Sequence, residues 1–133
     1  MAKLFTSESF QVRGYELDSY GHVNNSVYLN YAEYARWCMI EKATSGSSYF
    51  QEKKLNPALA HVEIDYKKPC YLAEWLHVET RLLEFKKVSA TFEQKIIKEK
   101  TKEVAAVLKI KLICTDPTGK LERLPSDFNS VFG

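Results

Sequence analysis

A carboxylate, an imidazole and two amides lie close together near the amino end of the chain, at Asp18, His22, Asn24 and Asn25. An apolar pattern with helical spacing follows at once, and Asn24 or Asn25 is a suitable N-cap for that helix. The first N–H groups of a helix have no internal partners and favour developing negative charge. A carboxylate beside a carbonyl held by such donors has the components for acyl transfer.

These residue types also have a purely structural interpretation. An Asp and a Gly before an Asn-capped helix form ordinary turns, in which Asp18 accepts hydrogen bonds that brace the loop. His22 can orient the loop or share a hydrogen bond with a carboxylate. Capping by the Asn residues is compatible with a catalytic role for the same segment.

The order of the residues adds a family resemblance, carried by Asp18-x-x-Gly21-His22-Val23-Asn24-Asn25 and then Glu33-x-Ala35-Arg36-Trp37. The run from Val12 to Trp37 resembles the start of single-domain acyl-CoA thioesterases of the 4-hydroxybenzoyl-CoA thioesterase-like hotdog family. It looks most like the bacterial long-chain acyl-CoA branch. Weaker similarity continues through Ile64-Asp65-Tyr66-Lys67-Lys68-Pro69 into the last strand, so the resemblance covers most of the chain.

The resemblance implies hydrolysis of a fatty acyl-CoA, of medium to long chain, to the free acid and CoA. Asp18 occupies the catalytic carboxylate position, either as general base for water or as a nucleophile that forms an anhydride. Backbone N–H groups of Asn25, Ser26 and Val27 are expected to hold the thioester oxygen, while Asn24 positions the turn. Some related thioesterases carry a catalytic histidine where this chain has Asn25, so the second catalytic group, His22 or Asn25, stays open.

The remaining expected contacts concern the two ends of the substrate. Lys67 and Lys68, at a strand end, are candidates to meet the phosphates of CoA, although adjacent lysines are also common on solvated surfaces. Tyr28 is expected to shape the space for the acyl chain. No cofactor is expected beyond the CoA of the substrate. His61 and His77 lack metal-ligand spacing and are assigned to strand surfaces.

Three other functions stay open. Plant acyl-carrier-protein thioesterases have a similar Asp-x-Asn-x-His-Val-Asn-Asn run, but here the middle Asn is Tyr20. A non-catalytic acyl-CoA binding module on the same fold is the second alternative, because fold does not fix function. The third is a hotdog hydratase or dehydratase, which also handles acyl thioesters with a carboxylate and an imidazole.

Composition narrows the class of protein. A chain of 133 residues, 45% apolar and 27% charged, fits one compact domain over residues 1–133. A net charge of +2, with cations interleaved among acidic residues, argues against nucleic acid as a partner. The sequence shows no secretion signal and no apolar run of membrane-spanning length, so a cytoplasmic protein without membrane insertion is expected. Three widely spaced cysteines indicate reduced thiols.

The elements that must position the site follow from periodicity. A first strand, alternating from Phe10 to Tyr15, should deliver Asp18 to its far end. The helix should run from near Asn25 to about Thr44, where Ser45-Gly46-Ser47-Ser48 breaks it. Apolar residues on more than one stripe of this helix predict that it is largely enclosed.

The second half of the chain changes to strand periodicity after a short helical turn within residues 49–54. Strands are predicted over 58–67, 76–82, 88–96 and 104–114, and a short terminal helix near Leu124. The first of these should place Ala58, Ala60, Val62, Ile64 and Tyr66 on one face. The predicted fold is α+β, a hotdog with an antiparallel sheet of about five strands wrapped around one long central helix. Open strand edges invite a second copy, and the resemblance implies a homodimer or homotetramer with acyl-CoA sites between subunits.

Overall fold

The computed structural model describes residues 2–44, 46 and 48–133. Its helices are α1 (Val27–Ala43), α2 (Ser48–Glu52) and α3 (Phe128–Phe132). Its strands are β1 (Phe5–Thr6), β2 (Phe10–Gln11), β3 (Asn56–Tyr66), β4 (Trp75–Phe85), β5 (Ala90–Lys98), β6 (Val104–Thr115) and β7 (Leu121–Glu122). No helix in these ranges is long and apolar enough to cross a membrane.

All strands belong to one antiparallel sheet with the order β1-β4-β5-β6-β3, while β2 also pairs with β4 and β7 with β6. The helix α1 packs on this sheet, chiefly against β4 and β5 and the short β1. The prediction of an α+β hotdog with one long helix is therefore confirmed. The four long strands match the predicted ones, and the short β1, β2 and β7 bring the sheet to seven strands.

The helix α1 buries one face and exposes another. Tyr28, Ala32, Ala35 and Met39, at the predicted spacing, are all buried against the sheet. The prediction that the helix is largely enclosed is wrong for the single chain, because apolar residues of a second stripe are exposed, with Tyr34 and Trp37 at 41% and 45%. The predicted breaker contains Gly46, which has a φ of +121°. Ser45 and Ser47 lie outside the described residues.

Two predicted strands differ from the observed ones. The first is only two residues long, because the Glu16 carboxylate turns back to accept a hydrogen bond from the Arg13 N–H at 2.8 Å, and Gly14–Glu16 form a 3-10 helix. The strand β3 has the predicted position, but a bulge between Leu59 and His61 interrupts the predicted shared face, so that Ala58 and Val62 lie on opposite faces of the sheet. Of the five residues assigned to that face, only Val62 and Ile64 are even half-buried.

The apolar interior has two parts, both underneath α1. One lies below the amino-terminal half of the helix and includes Tyr28, Tyr31, Leu76 and Ile96. The other surrounds the carboxyl-terminal half and is rich in aromatic rings from α2, α3 and β5, namely Tyr49, Phe50, Phe92, Phe128 and Phe132. The helix start is thus fixed by packing on the sheet before any polar contact is considered.

Candidate active site

The loop that carries Asp18 is a small hairpin. Leu17 and Val23 form an antiparallel bridge, and the Asp18 N–H donates to the His22 carbonyl at 2.7 Å. The turn requires a positive φ at Gly21, which is +82°, a region that glycine adopts without steric cost. The loop is therefore closed by its own backbone, which sets the position of the Asp18 side chain.

The Asp18 carboxylate is half-buried and braced through one oxygen. Its Oδ1 accepts hydrogen bonds from the N–H groups of Tyr20 at 2.9 Å and His22 at 3.1 Å. Within residues 2–44, 46 and 48–133, no donor contacts Oδ2. The hydrogen bonds that brace the loop therefore use one oxygen of the carboxylate and leave the other without a described donor.

A second carboxylate, Glu16, ties the loop to the helix. It is buried and accepts a hydrogen bond from the Tyr31 hydroxyl at 2.9 Å, while its carbonyl accepts from the Asn24 N–H at 2.8 Å. Burial, followed by this hydrogen bond, raises the pKa of Tyr31 well above its usual range. Sequence reasoning missed Glu16 because the alternation of residues 10–15 had assigned the segment to a strand.

The start of α1 differs from the predicted capping. The N-cap residue is Ser26, without a side-chain cap, so the assignment of this role to Asn24 or Asn25 is wrong. The Asn24 Oδ1 instead accepts from the Ser26 N–H at 3.1 Å and the Ser26 hydroxyl at 3.0 Å. An Asn amide readily bonds the backbone two residues further on, and here it does so one turn ahead of the helix.

The backbone N–H groups at the start of α1 differ in whether they already donate a hydrogen bond. The Ser26 N–H is taken by Asn24 Oδ1, and the Val27 N–H donates to the Asn24 carbonyl at 2.9 Å. The Asn25 N–H donates to no acceptor in the described part of the chain. Of the three backbone donors expected from the sequence, Asn25 is thus the one left free for a ligand.

A pocket of about 320 Å³ joins these groups. Six predicted site residues line it: Asp18, His22, Asn25, Tyr28, Lys67 and Lys68. Val23, Tyr66 and Pro69 complete its wall and were not predicted. The other predicted residues, Asn24, Ser26 and Val27, do not line this pocket and lie in the turn and the first residues of α1.

The other lining side chains differ in how they are held. The His22 ring lies edge-on to the Tyr71 ring at 5.2 Å, and its nitrogens have no hydrogen-bond partner among the described residues. Lys68 forms an ion pair with Glu103 at 3.5 Å, whereas Lys67 has no ion pair in the same part of the chain. Burial raises the pKa of the Tyr28 hydroxyl, which lies close to Cys70.

A larger, mostly apolar pocket of about 370 Å³ lies further along α1. It is formed between the helix and the first half of β3, whereas the smaller pocket lies between the helix start and the end of β3. Rings of Phe50, Phe92 and Phe128 form part of its wall. The Arg36 guanidinium also lines it and donates to Gln94 Oε1 at 3.0 Å.

The predicted surface position is wrong for one of the two strand histidines. His61 is exposed as expected, but His77 is buried, with Nδ1 2.6 Å from Glu99 Oε1. The same Glu99 oxygen accepts from the Ser9 hydroxyl at 2.6 Å. This cluster is distinct from the pocket that contains Asp18.

Comparison with known proteins gives consistent matches over nearly the whole chain. A family model described as the thioesterase-like superfamily matches residues 12–132. The chain is 32% identical over 106 residues to the long-chain acyl-CoA thioesterase FadM of Escherichia coli, covering 80% of each protein. It is 29% identical over 129 residues to the chloroplastic acyl-acyl carrier protein thioesterase ATL2 of Arabidopsis thaliana, covering 97% of this chain and 69% of that protein.

Solved structures agree with the sequence matches. A crystal structure of the probable thioesterase YbaW from Escherichia coli superposes with a TM-score of 0.85 at 28% identity, covering 97% of this chain and 99% of that one. A hypothetical protein from Aquifex aeolicus gives a TM-score of 0.87 at 26% identity, with the same coverage.

Proposed function

Because this chain belongs to the thioesterase-like superfamily and is a thioester hydrolase with the hotdog fold, we propose that it hydrolyses fatty acyl-CoA, of medium to long chain, at the Asp18 pocket. The observation that carries this proposal is one pocket lined by both Asp18, whose Oδ2 has no described donor, and Asn25, whose N–H has no described acceptor. A carboxylate and an unpaired backbone donor are the two groups that thioester hydrolysis needs.

The proposed reaction begins with water beside Asp18. Oδ2 removes a proton from the water as the oxygen attacks the thioester carbonyl, and the Asn25 N–H donates to the oxyanion that forms. The tetrahedral intermediate then expels the CoA thiolate, which takes up a proton, and leaves the free acid. Direct attack by Asp18 would instead form an anhydride and expel the CoA thiolate, and water attack at the Asp18 carbonyl carbon of that anhydride would put a solvent oxygen into the carboxylate and an Asp18 oxygen into the free acid. Solvent label in Asp18, found by mass spectrometry of the protein after turnover in H₂¹⁸O, therefore identifies this anhydride route, because the general-base route puts the label into the free acid alone.

The two ends of the substrate have different surroundings in this proposal. The apolar pocket of about 370 Å³ accommodates the acyl chain, because its size falls within the range of small-molecule sites and its aromatic wall removes apolar surface from water. Lys67 faces the CoA phosphates, since its ammonium group has no described carboxylate partner, whereas Lys68 is paired with Glu103. The similarity to FadM supports a long acyl chain.

The proposal includes a homodimer formed along β3. This strand has one unpaired edge and a nearly fully exposed surface, and an edge of eleven residues is a template for a second chain. Leu59 on β3 is 42% exposed and lines the apolar pocket, so a second copy would both bury it and help to enclose the acyl chain. A tetramer is the larger assembly consistent with the family resemblance.

Thiol release from a series of acyl-CoAs, from acetyl to palmitoyl, tests the proposed function. We expect saturable release of CoA with the highest kcat/KM among the longer chains. The same acyl groups on acyl carrier protein form the second arm, because ATL2 is named for that carrier. A higher kcat/KM with the acylated carrier protein than with acyl-CoA would identify the carrier-protein thioester as the preferred substrate. Loss of enoyl absorbance without thiol release would indicate a hydratase, and tight binding without turnover would indicate a binding module.

A further inference from the structure

Tyr66, the last residue of β3, contacts the backbone of the helix start. Its hydroxyl donates a hydrogen bond to the Asn25 carbonyl at 2.9 Å. We propose that Tyr66 is a positioning residue for thioester hydrolysis, which fixes the Asn25 segment so that the neighbouring Asn25 N–H meets the oxyanion. This inference rests on the proposed function and assigns a role that sequence reasoning had not given to Tyr66.

The hydrogen bonds around Asn25 show why Tyr66 matters. The peptide group before Asn25 is fixed at its carbonyl by the Val27 N–H, and its own N–H is the free donor. The peptide group after Asn25 is fixed at its N–H by Asn24 Oδ1 and at its carbonyl by Tyr66. Within the described residues, Tyr66 supplies the one side-chain hydrogen bond to these two peptides from outside the loop and helix. Without this hydrogen bond, the two peptide groups would be held only by contacts within the loop and the helix start.

Tyr66 itself is held firmly enough to serve this purpose. Its backbone pairs with Ala106 of β6, so the register of the sheet fixes its position relative to the helix. Its ring lies edge-on to the buried Tyr28 ring, with centroids 5.3 Å apart. The side chain nevertheless remains 49% exposed and lines the pocket. Removal of the hydroxyl alone should therefore change the local geometry with little effect on folding.

The expected signature is a change in kcat rather than KM. The oxyanion exists in the transition state and not in the bound thioester, so a misaligned Asn25 N–H affects the chemical step. Substrate affinity comes mainly from the acyl chain and CoA, which Tyr66 is not proposed to hold. A merely structural tyrosine would lower stability without separating kcat from KM.

Steady-state thiol release by Tyr66→Phe tests the inference. We expect kcat to fall roughly tenfold with KM nearly unchanged, and the melting temperature to stay within about 2 °C of wild type. Tyr15→Phe is the matched control, because Tyr15 is 81% exposed and does not line the pocket, and it should keep wild-type kcat. A second variant, Tyr66→Leu, removes the ring as well and should reduce kcat at least as much.

The outcomes separate this inference from the proposed function. Wild-type hydrolysis with an unchanged kcat in Tyr66→Phe would overturn the positioning role and leave the hydrolase proposal intact. A raised KM at constant kcat would also overturn it, since Tyr66 would then be a binding residue. A wild-type protein that releases no thiol from any acyl-CoA or acyl carrier protein would remove both.

Discussion

At the scale of single residues, the central feature is the Asn25 N–H, which has no acceptor among the described residues and belongs to a residue that lines the same pocket as the braced Asp18 carboxylate. Asn25→Pro removes this N–H, and proline is tolerated near a helix start because no internal bond is lost. Asn25→Ala keeps the N–H and removes only the side chain. We expect Asn25→Pro to lower kcat by about 100-fold or more, because loss of one oxyanion donor has effects of this order.

The comparison between the two variants identifies which part of Asn25 acts. Under the backbone assignment, Asn25→Ala should retain most of the wild-type kcat in the thiol-release assay. Equal losses in both variants would instead assign the role to the side-chain amide. Circular dichroism of both proteins excludes a general failure to fold.

Sequence reasoning at this scale found the residue types but not all of their bonds. Asp18, His22, Asn25 and Lys67, four of the predicted site residues, line one pocket. The Asn24 amide bonds Ser26 instead of capping the helix, because Ser26 is the N-cap residue and the helix begins at Val27. Tyr66 was assigned to an apolar strand face, and alternation cannot show that a tyrosine hydroxyl reaches a carbonyl 41 residues earlier.

At the scale of elements, a buried polar link joins α1 to the centre of the sheet. Gln94 of β5 accepts from Arg36 and donates to the Ala32 carbonyl and the Thr80 hydroxyl, and it is fully buried. Burial also lowers the pKa of Arg36, so loss of its acceptor would leave a poorly solvated cation. These hydrogen bonds help to fix the position of α1 on the sheet.

We therefore expect Gln94→Ala to destabilise the fold by about 3 kcal/mol, because several buried groups lose a partner at once. Gln51→Ala, at an exposed position of α2, is the matched control and should change the free energy of unfolding by less than about 0.5 kcal/mol. Urea denaturation measures both. Equal effects would show that the Gln94 network adds no stability.

A second link ties the amino-terminal segment to β4 and β5. The Ser9 hydroxyl, with His77 and Lys102, holds the pKa of Glu99 at about 2, against an ordinary value of 4.5. A carboxylate whose pKa is lowered in the folded state stabilises the fold at pH values above its ordinary pKa. This stabilisation is lost as the pH falls towards the folded-state pKa. Wild type should therefore exceed Glu99→Gln in stability at neutral pH, and this difference should shrink between pH 4.5 and about 2.

Thermal unfolding of wild type and Glu99→Gln across that range provides the measurement. Glu52→Gln, at an exposed position of α2, is the control and should show no such pH-dependent difference. A wild-type advantage that stays constant down to pH 2 would contradict the assignment to Glu99 ionisation.

At this scale the periodicity of the long elements predicted them well, and the short irregular ones poorly. The strands β4, β5 and β6 and the helix α1 follow clear repeats and were placed within a few residues. The 3-10 helix at Gly14–Glu16 was not predicted, because it depends on a Glu16 side chain returning to Arg13. The burial of His77 similarly depends on Glu99, a partner 22 residues away.

At the scale of the whole molecule, β3 is the most exposed of the four long strands and lies at one end of the sheet order. The fold was predicted from one long helix and several antiparallel patterns, and the apolar residues that alternation assigned to one face of β3 are left largely exposed by this chain. In the proposed homodimer these residues are buried by a second surface, which the periodicity of one chain cannot reveal. The homodimer proposal assigns that surface to another copy.

Leu59→Asp tests this assignment. Wild type should sediment at twice the chain mass of 15.4 kDa or at a higher multiple, and Leu59→Asp should shift towards the single chain because a charge opposes burial of the edge. Leu121→Asp, at a comparably exposed leucine on β7, is the control and should leave the assembly unchanged. A wild-type protein that sediments as a single chain while fully active would contradict the dimer.

The most direct test of the whole account is thiol release by Asp18→Asn with the best acyl-CoA substrate. The amide keeps an oxygen that can accept from the Tyr20 and His22 N–H groups, so the loop should stay folded while the base is lost. We predict a fall in kcat of at least about 100-fold with acyl-CoA binding retained. Hydrolysis by Asp18→Asn at the wild-type rate would contradict the assignment of this carboxylate to the reaction.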